Sequence, residues 1–154
     1  MKVIKDNLTP VLNSQIITDF PASFSIELTV GPESIDGLGH MNNAVYVNWL
    51  DQVHLLHTFH TGVTAAVMKS SHCGLVVRHS DLHYLVALKE KEKVLIGTRI
   101  VKCDGRLRLH RQFQMVELKN QQTALRGTIE YICVNFTKGK PQRMPAEFSQ
   151  ALRL

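Results

Sequence analysis

Alternating apolar and polar positions begin at residues 23–30. The apolar side of this segment comprises Phe24, Ile26, Leu28 and Val30. A period of two is the signature of a strand with one buried face, so this segment predicts the first strand. Alternating or β-branched residues predict four further strands, at residues 75–88, 93–103, 107–118 and 123–136. Arg111 interrupts the apolar row of the segment 107–118.

Residues 42–60 show a different spacing of apolar residues and contain no glycine or proline. Apolar residues recur there at spacings of three and four, as seen for Val45, Trp49, Val53 and Leu56. This period predicts one helix of about five turns. Asn42 is a favourable N-cap residue, and Gly62 stands where a left-handed C-cap commonly lies. The sequence predicts no other long helix.

The predicted element order is β-α-β-β-β-β in a single domain of residues 1–154, with a lead-in at 1–22 and an irregular tail at 141–154. The turns at Asp104-Gly105 and at residues 120–122 are short enough for antiparallel hairpins. One broadly apolar helix and five antiparallel strands bury their apolar faces if the sheet curls around the helix, which predicts an α+β fold. Dimerisation commonly covers the edges of such a sheet, so we expect a homodimer or homotetramer.

Composition narrows the class of protein. The chain has 154 residues, of which 44% are hydrophobic and 20% charged, and these values exclude disordered, collagen-like and coiled-coil proteins. No apolar run reaches the roughly 18 residues of a membrane span, and no signal-peptide pattern follows the first lysines. We therefore expect a cytoplasmic protein without a membrane span. The three cysteines form no Cys-x-x-Cys pair and are expected to be buried free thiols.

The net charge of +5 favours an anionic partner, such as nucleic acid, a membrane surface or a phosphate-bearing metabolite. Basic stretches interleaved with aromatic residues are missing, so no nucleic-acid partner is expected. His54, His57 and His60 recur every third residue and drift by about 60° per step around a helix, so no metal site is expected there. Neither a Walker loop nor a dinucleotide fingerprint occurs.

The entry to the predicted helix carries the motif with the most chemical content. It has the spacing Asp-x-x-Gly-His-x-Asn-Asn-x-x-Tyr and comprises Asp36, Gly39, His40, Asn42, Asn43 and Tyr46. Backbone N–H groups and the positive end of the dipole favour negative charge beside a helix N-terminus. Negative charge develops on the carbonyl oxygen when a thioester is hydrolysed, so amides aimed at that oxygen would form an oxyanion hole.

This motif resembles the signature of the hotdog-fold thioesterases of the 4-hydroxybenzoyl-CoA thioesterase type, and the element order is similar over residues 23–145. The resemblance implies a five-stranded antiparallel sheet wrapped around one long central helix. It also implies an acyl-CoA thioesterase, which hydrolyses its substrate to a free acid and CoA. No metal or redox cofactor is implied, because coenzyme A is part of the substrate.

The resemblance also assigns catalytic roles. The position of the family's catalytic carboxylate is occupied by Asp36, acting as a general base or as a nucleophile. The backbone N–H that polarises the carbonyl falls at Asn43, with Asn42 beside it in the same turn. His40 is either an acid/base group or a hydrogen-bonding prop of the loop.

Four further positions are candidates for substrate binding. Tyr46 belongs to the motif, although its place in the apolar stripe also suits packing against the sheet. Asp51 stands where related enzymes carry an acidic residue, and a solvated helix charge is the alternative. Arg106 and Arg108 resemble the basic cluster that binds the CoA nucleotide in family members, and a solvated strand face is the alternative.

Two alternative functions stay open. One is an acyl-carrier-protein thioesterase of the same fold, although the plant enzymes of that class carry Asn where this chain has Leu38. The other is a non-catalytic acyl-CoA-binding module. The Asp36 carboxylate argues against such a module, because an anion beside an anionic ligand would weaken binding.

Overall fold

The computed structural model describes residues 19–154, in which an antiparallel sheet curls around one long helix. The strands are β1 (Phe24–Thr29), β2 (Cys73–Tyr84), β3 (Lys93–Cys103), β4 (Arg108–Glu117), β5 (Gln122–Asn135) and β6 (Lys140–Pro141). The helices are α1 (Asn43–His60), α2 (Ala65–Ser71) and α3 (Ala146–Ala151), and a 3-10 turn covers Pro32–Ser34. The predicted α+β architecture with its central helix is confirmed.

The strand order explains why α1 lies inside the sheet. The order is β1-β3-β4-β5-β2, every pairing is antiparallel, and the short β6 is added beside β5. β1 and β2 therefore lie at opposite edges, although they are consecutive strands in the chain. The chain runs from one edge to the other through α1, so the helix must cross the concave face of the sheet.

One face of α1 packs into this concave side. Its buried side chains are Tyr46, Trp49, Leu50, Val53, His54, His57 and Thr58. They share a core with sheet residues such as Phe113 and Met115. The side chain of Asn42 accepts a hydrogen bond from Ala44 N–H at 2.9 Å, which satisfies one of the free amides of the first turn. The predicted N-cap is therefore confirmed.

The residue that interrupted the apolar pattern of β4 is a buried cation. Arg111 is fully buried beneath the C-terminal half of α1. Its Nη2 donates to Thr58 Oγ1 at 3.0 Å, and its Nη1 donates to His57 Nδ1. No ion pair among the described residues involves Arg111, and its hydrogen-bond partners His57 and Thr58 lie in the last turns of α1, where the helix dipole is negative. Burial lowers the pKa of Arg111 to about 10, which leaves it protonated at neutral pH.

The sequence analysis predicts none of α2, α3 and β6. The prediction of an irregular tail at 141–154 is wrong, because α3 lies within it. These elements span seven, six and two residues, which is too short for a hydrophobic period to emerge. Phe148 of α3 is nevertheless fully buried. β2 ends at Tyr84, earlier than predicted, because Leu85 N–H and Val86 N–H both donate to Ala124 O and the chain turns out of the ladder. Most of the predicted lead-in, residues 1–18, lies outside the described residues.

Two simpler expectations concern cysteines and membrane spans. Cys73 and Cys133 are buried free thiols as predicted, whereas Cys103 is half-buried. Burial raises the pKa of the Cys133 thiol to about 12.

From residue 19 onward, no helix combines the length and the apolar character needed to cross a membrane.

The buried histidines predict acid sensitivity. Burial lowers the pKa of His54 well below its usual value and that of His57 to about 3. At pH 7 both are neutral in the folded and unfolded chains. As pH falls from 6.5 towards 3, the unfolded chain takes up these protons and the folded chain does not. The free energy of unfolding should therefore fall with pH, by up to about 1.4 kcal/mol per pH unit for each histidine.

Urea unfolding of wild type and His57→Asn at pH 7 and pH 4.5 checks this prediction. The Asn oxygen can still accept the Arg111 hydrogen bond, so the variant should fold and show a weaker pH dependence. The same substitution at the exposed His79 serves as the control. An identical pH dependence in His57→Asn and wild type would show that His57 is not held neutral.

Candidate active site

The loop between β1 and α1 closes tightly on Asp36. Asp36 N–H donates to His40 O at 2.8 Å, and Asp36 Oδ1 accepts from Leu38 N–H at 2.8 Å and His40 N–H at 3.3 Å. Gly39 turns the chain with a φ of +78°, a conformation that favours glycine. The carboxyl is thus anchored through one oxygen, and its Oδ2 has no hydrogen bond to any residue that the structure describes.

The N-terminus of α1 is fixed by hydrogen bonds from two directions. Asn42 N–H donates to Ser34 O at 2.9 Å, and Met41 N–H donates to Leu88 O at 2.7 Å. Asn42 also caps the helix through Ala44 N–H. Asn43, the first residue of α1, keeps a backbone N–H without an acceptor among residues 19–154. A free backbone N–H at the positive end of a helix can donate a hydrogen bond to an anion.

A cavity of about 440 Å³ joins these groups. Five of the predicted site residues line it, namely Asp36, His40, Asn42, Asn43 and Tyr46. The opposite wall is formed by Tyr84 at the end of β2 and by residues 85–87, which follow it. The structure therefore brings the Asp36 carboxyl and the N-terminus of α1 to the same space, as the motif spacing predicted.

Tyr46 connects the two walls of this cavity. Its hydroxyl oxygen accepts a hydrogen bond from Leu88 N–H at 3.0 Å, and its ring meets Tyr84 edge-on with centroids 5.4 Å apart. The side chain is only 3% exposed, and burial raises the pKa of its phenol. Tyr46 thus packs against the sheet and also lines the cavity, and its contact with a substrate stays a prediction.

Asp51 lies at a different cavity. A second space of about 330 Å³ runs between α1 and the strands β2 and β5, with Asp51 on its helix side and Tyr131 on its sheet side. Its other lining residues are mostly apolar and include Val47, Leu82 and Ile129. Desolvation raises the pKa of the Asp51 carboxyl. Asp51 therefore stands one to two helical turns beyond the Asp36 cavity, not inside it.

The structure does not bring Arg106 and Arg108 to the Asp36 cavity. Register aligns Tyr84 with Leu125, and Leu125 with Met115. Arg108 lies seven residues before Met115 on β4, roughly 23 Å along the strand. Arg108 instead shares the carboxylate of Glu130 with Arg78, each at 3.0 Å. Arg106 lies still farther along, in the turn that Asp104 organises through its side chain.

Sequence reasoning missed the wall opposite the motif. Residues 84–87 carry no chemical motif, and only the path of the chain after β2 places them against α1. Tyr131, which lines the second cavity, was also missed.

Comparison with known proteins identifies the family. The family model described as "Thioesterase-like superfamily" matches residues 30–152, which contain the whole site. The chain belongs to the thioesterase-like superfamily. Among the described residues of this family member, no group of three or more His, Cys, Asp or Glu could hold a metal ion.

Solved structures share the fold of this thioesterase-like protein. Protein SAV2348 from Staphylococcus aureus, solved in complex with CoA, has a TM-score of 0.76 and 20% identity, over 82% of this chain and 79% of that one. The 1,4-dihydroxy-2-naphthoyl-CoA thioesterase Slr0204 from Synechocystis has a TM-score of 0.73 and 14% identity, over 84% and 94%. The DHNA-CoA thioesterase from Staphylococcus aureus has a TM-score of 0.70 and 23% identity, over 77% and 78%.

The family and the shared fold confirm two predictions. The fold is the hotdog fold, and the class of enzyme is a thioester hydrolase. The roles of individual residues in the Asp36 cavity stay predictions, because family membership does not assign them.

The Tyr46 hydrogen bond predicts a stability effect. Tyr46→Phe would leave the buried Leu88 N–H without its acceptor, at a cost of about 1–3 kcal/mol in the free energy of unfolding. Tyr84→Phe is the matched control, because Tyr84 is 45% exposed and its hydroxyl has no hydrogen-bond partner among the described residues. Urea unfolding of both variants measures the difference. Equal stabilities would show that the Leu88 amide finds another acceptor.

Proposed function

We propose that this protein hydrolyses acyl-CoA thioesters to a free acid and CoA. The observation that carries the proposal is the shared cavity of the Asp36 carboxyl and the free Asn43 N–H at the start of α1. A hydrolase needs an activating base or nucleophile on one side of the carbonyl carbon and a donor to the carbonyl oxygen on the other. These two groups supply both.

The proposed donor is the Asn43 amide. Its backbone N–H has no acceptor among the described residues, and the positive end of α1 adds to its attraction for an oxyanion. Removal of one such donor typically costs about 3–4 kcal/mol of transition-state stabilisation. Asn42 supports this position by capping the helix, and His40 supports it through backbone hydrogen bonds to Asp36. His40 is therefore assigned here as a prop of the loop.

The proposed base or nucleophile is Asp36. Its Oδ1 is held by two N–H groups, so Oδ2 is the oxygen that can act on the substrate. As a general base, it takes a proton from water while the water oxygen attacks the carbonyl carbon. The tetrahedral intermediate then collapses, the C–S bond breaks, and CoA leaves as a thiolate that is protonated by the acid so formed. As a nucleophile, Asp36 attacks the carbonyl carbon, the C–S bond breaks, and CoA leaves as a thiolate that takes a proton from solvent. Water then hydrolyses the resulting mixed anhydride to the free acid and restores the Asp36 carboxylate.

The choice of a CoA ester is supported by three structural relatives. SAV2348 was solved in complex with CoA, and two others are described as CoA thioesterases. In the proposed reaction the adenine nucleotide stays outside the cavity, and no metal or redox cofactor takes part. We keep Tyr46 and Asp51 as proposed substrate contacts, because each lines one of the two cavities beside α1.

A second candidate substrate is an acyl group on an acidic carrier protein. Positive charge at the end of the sheet away from the Asp36 cavity favours this substrate. Arg78 and Arg108 share the single carboxylate of Glu130 there, which leaves an excess of positive charge. Arg106 adds to the same end. A surface of this kind attracts an acidic protein more than a small anion that must also reach Asp36.

A homodimer is the proposed assembly. β2 is an edge strand of twelve residues, and eight of these residues are exposed. Val76 and Val77 on this strand and Leu85 after it are 38%, 51% and 50% exposed. A long apolar edge strand is a template for pairing with another chain, and a second copy would cover it.

The Asp36 proposal predicts a loss of turnover in Asp36→Asn by two orders of magnitude or more. The Asn oxygen can still accept from Leu38 N–H and His40 N–H, so the loop should keep its shape. The measurement is thiol release over a panel of short, medium, long and aromatic acyl-CoAs. Asp104→Asn is the matched control, because Asp104 also accepts three backbone N–H groups but lies at the far end of the sheet.

Each result has a distinct meaning. Wild-type turnover that disappears in Asp36→Asn and survives in Asp104→Asn supports the hydrolase. Turnover that Asp36→Asn retains would contradict the role of Asp36. Absence of wild-type turnover on every CoA ester, with activity on acyl-carrier-protein thioesters, would favour the second candidate. Binding without turnover on either class would identify a binding module.

The dimer proposal predicts that Val76→Lys yields a monomer. A charge on the β2 edge opposes pairing of two such edges. Val101→Lys is the matched control, because Val101 has the same 38% exposure but lies on β3, away from the β2 edge. Sedimentation velocity measures the mass of each species. Unchanged dimers in Val76→Lys would place the interface elsewhere.

A further inference from the structure

The second cavity, of about 330 Å³, lies directly beside the Asp36 cavity. On α1, the consecutive residues Asn43 and Ala44 line one cavity each. On β2 the division is similar, because Tyr84 lines the Asp36 cavity and Leu82, two positions earlier on the same face, lines the second. An acyl group held by its carbonyl oxygen at Asn43 can therefore extend along α1 into the second cavity.

Three polar side chains reach the second cavity from two walls. Asn48 and Asp51 lie one turn apart on α1, and Ser80 lies on β2. None of these side chains forms a hydrogen bond or an ion pair with any residue from 19 to 154. Each carries an oxygen that can accept a hydrogen bond, so the cavity presents three acceptors without a donor.

The charge of the cavity is negative and has no counter-ion. Among the described residues, Asp51 is the only charged one that lines it. Desolvation alone raises the pKa of the Asp51 carboxyl. The nearest buried cation, Arg111, is shielded from the cavity and does not contribute to this shift. A partly desolvated carboxylate without a partner favours a ligand group that brings a positive charge and hydrogen-bond donors.

A primary ammonium group matches this set of acceptors. It has one positive charge and three N–H donors, whereas a hydroxyl has one donor and no charge. A carboxylate brings no donor and is repelled by Asp51. The rest of the lining is mostly apolar, with Val47 on α1 and Ile129 on β5, and it suits the methylene groups that would precede the ammonium.

We infer that the second cavity selects acyl groups that end in a primary ammonium, with the Asp51 carboxylate as counter-ion and Asn48 and Ser80 as further acceptors. The inference rests on the proposed function, since it names a substrate class for the same site. Asn43 and Asp51 are eight residues apart on the helix, which corresponds to about 12 Å. Several methylene groups therefore have to separate the thioester carbonyl from the ammonium.

Binding of thioether analogues tests the inference without requiring hydrolysis. The probes are hexyl, octyl and decyl thioethers of CoA, each prepared with a terminal methyl, hydroxyl or primary ammonium group and measured by isothermal titration calorimetry. Wild type should bind the ammonium member of at least one set about tenfold or more tightly than the methyl and hydroxyl members, because only the ammonium supplies both charge and donors to Asp51.

Two variants identify the groups responsible. Asp51→Asn keeps the size of the side chain and removes its charge, so the preference for the ammonium member should fall below about twofold. Ser80→Ala removes one acceptor and should reduce the preference. Asp81→Asn is the matched control, because Asp81 is an exposed carboxylate next to Ser80 whose side chain lies on the opposite face of β2. It should keep the wild-type preference.

The outcomes separate this inference from the proposed function. Equal affinity for the three members of every set would overturn the inference, as would a preference for the hydroxyl member or an ammonium preference that Asp51→Asn retains. If Asp51→Asn does not fold, as judged by its thermal melting curve, Ser80→Ala decides alone. Hydrolysis of hexanoyl-, octanoyl- and decanoyl-CoA is assayed in parallel. Hydrolysis without the preference contradicts only the inference, and the preference without hydrolysis contradicts only the proposed function.

Discussion

Burial of one face of α1 inside the sheet is the constraint on which the rest of the structure depends. β1 and β2 are consecutive strands at opposite edges, so the helix between them has to cross the concave face. Seven side chains of α1 are buried there, and they set the helix at one depth and one rotation. The N-terminus of the helix is thereby placed beside the Asp36 loop, where hydrogen bonds to Ser34 O and Leu88 O fix it.

The two ends of α1 carry opposite electrostatic roles. The positive end faces the Asp36 carboxyl and leaves the Asn43 amide free, an arrangement that suits an oxyanion. The negative end lies over Arg111, a buried cation without an ion pair among the described residues. The two ends of the same macrodipole thus lie beside side chains of opposite charge. Two cavities lie along the helix between these ends.

Local patterns predicted most of the fold because they reflect local physics. The spacing of apolar residues predicted α1, and the residue type of Asn42 predicted its N-cap. The five long strands are present near their predicted positions. α2 and α3 escaped prediction because six or seven residues are too few to show a period. The end of β2 at Tyr84 also escaped, since it depends on hydrogen bonds to the distant Ala124.

The sequence by itself determined the class of fold, the position of the helix N-terminus and the loop that carries Asp36. Each of these depends on residues close together in the chain, whose periodicity, capping and turn chemistry are local. Only the tertiary structure decided that residues 84–87 form the opposite wall, that Arg108 lies far from the cavity, and that Arg111 is buried beside Tyr131. These facts follow from strand order and register, which arise when distant segments pack together and satisfy each other's polar groups.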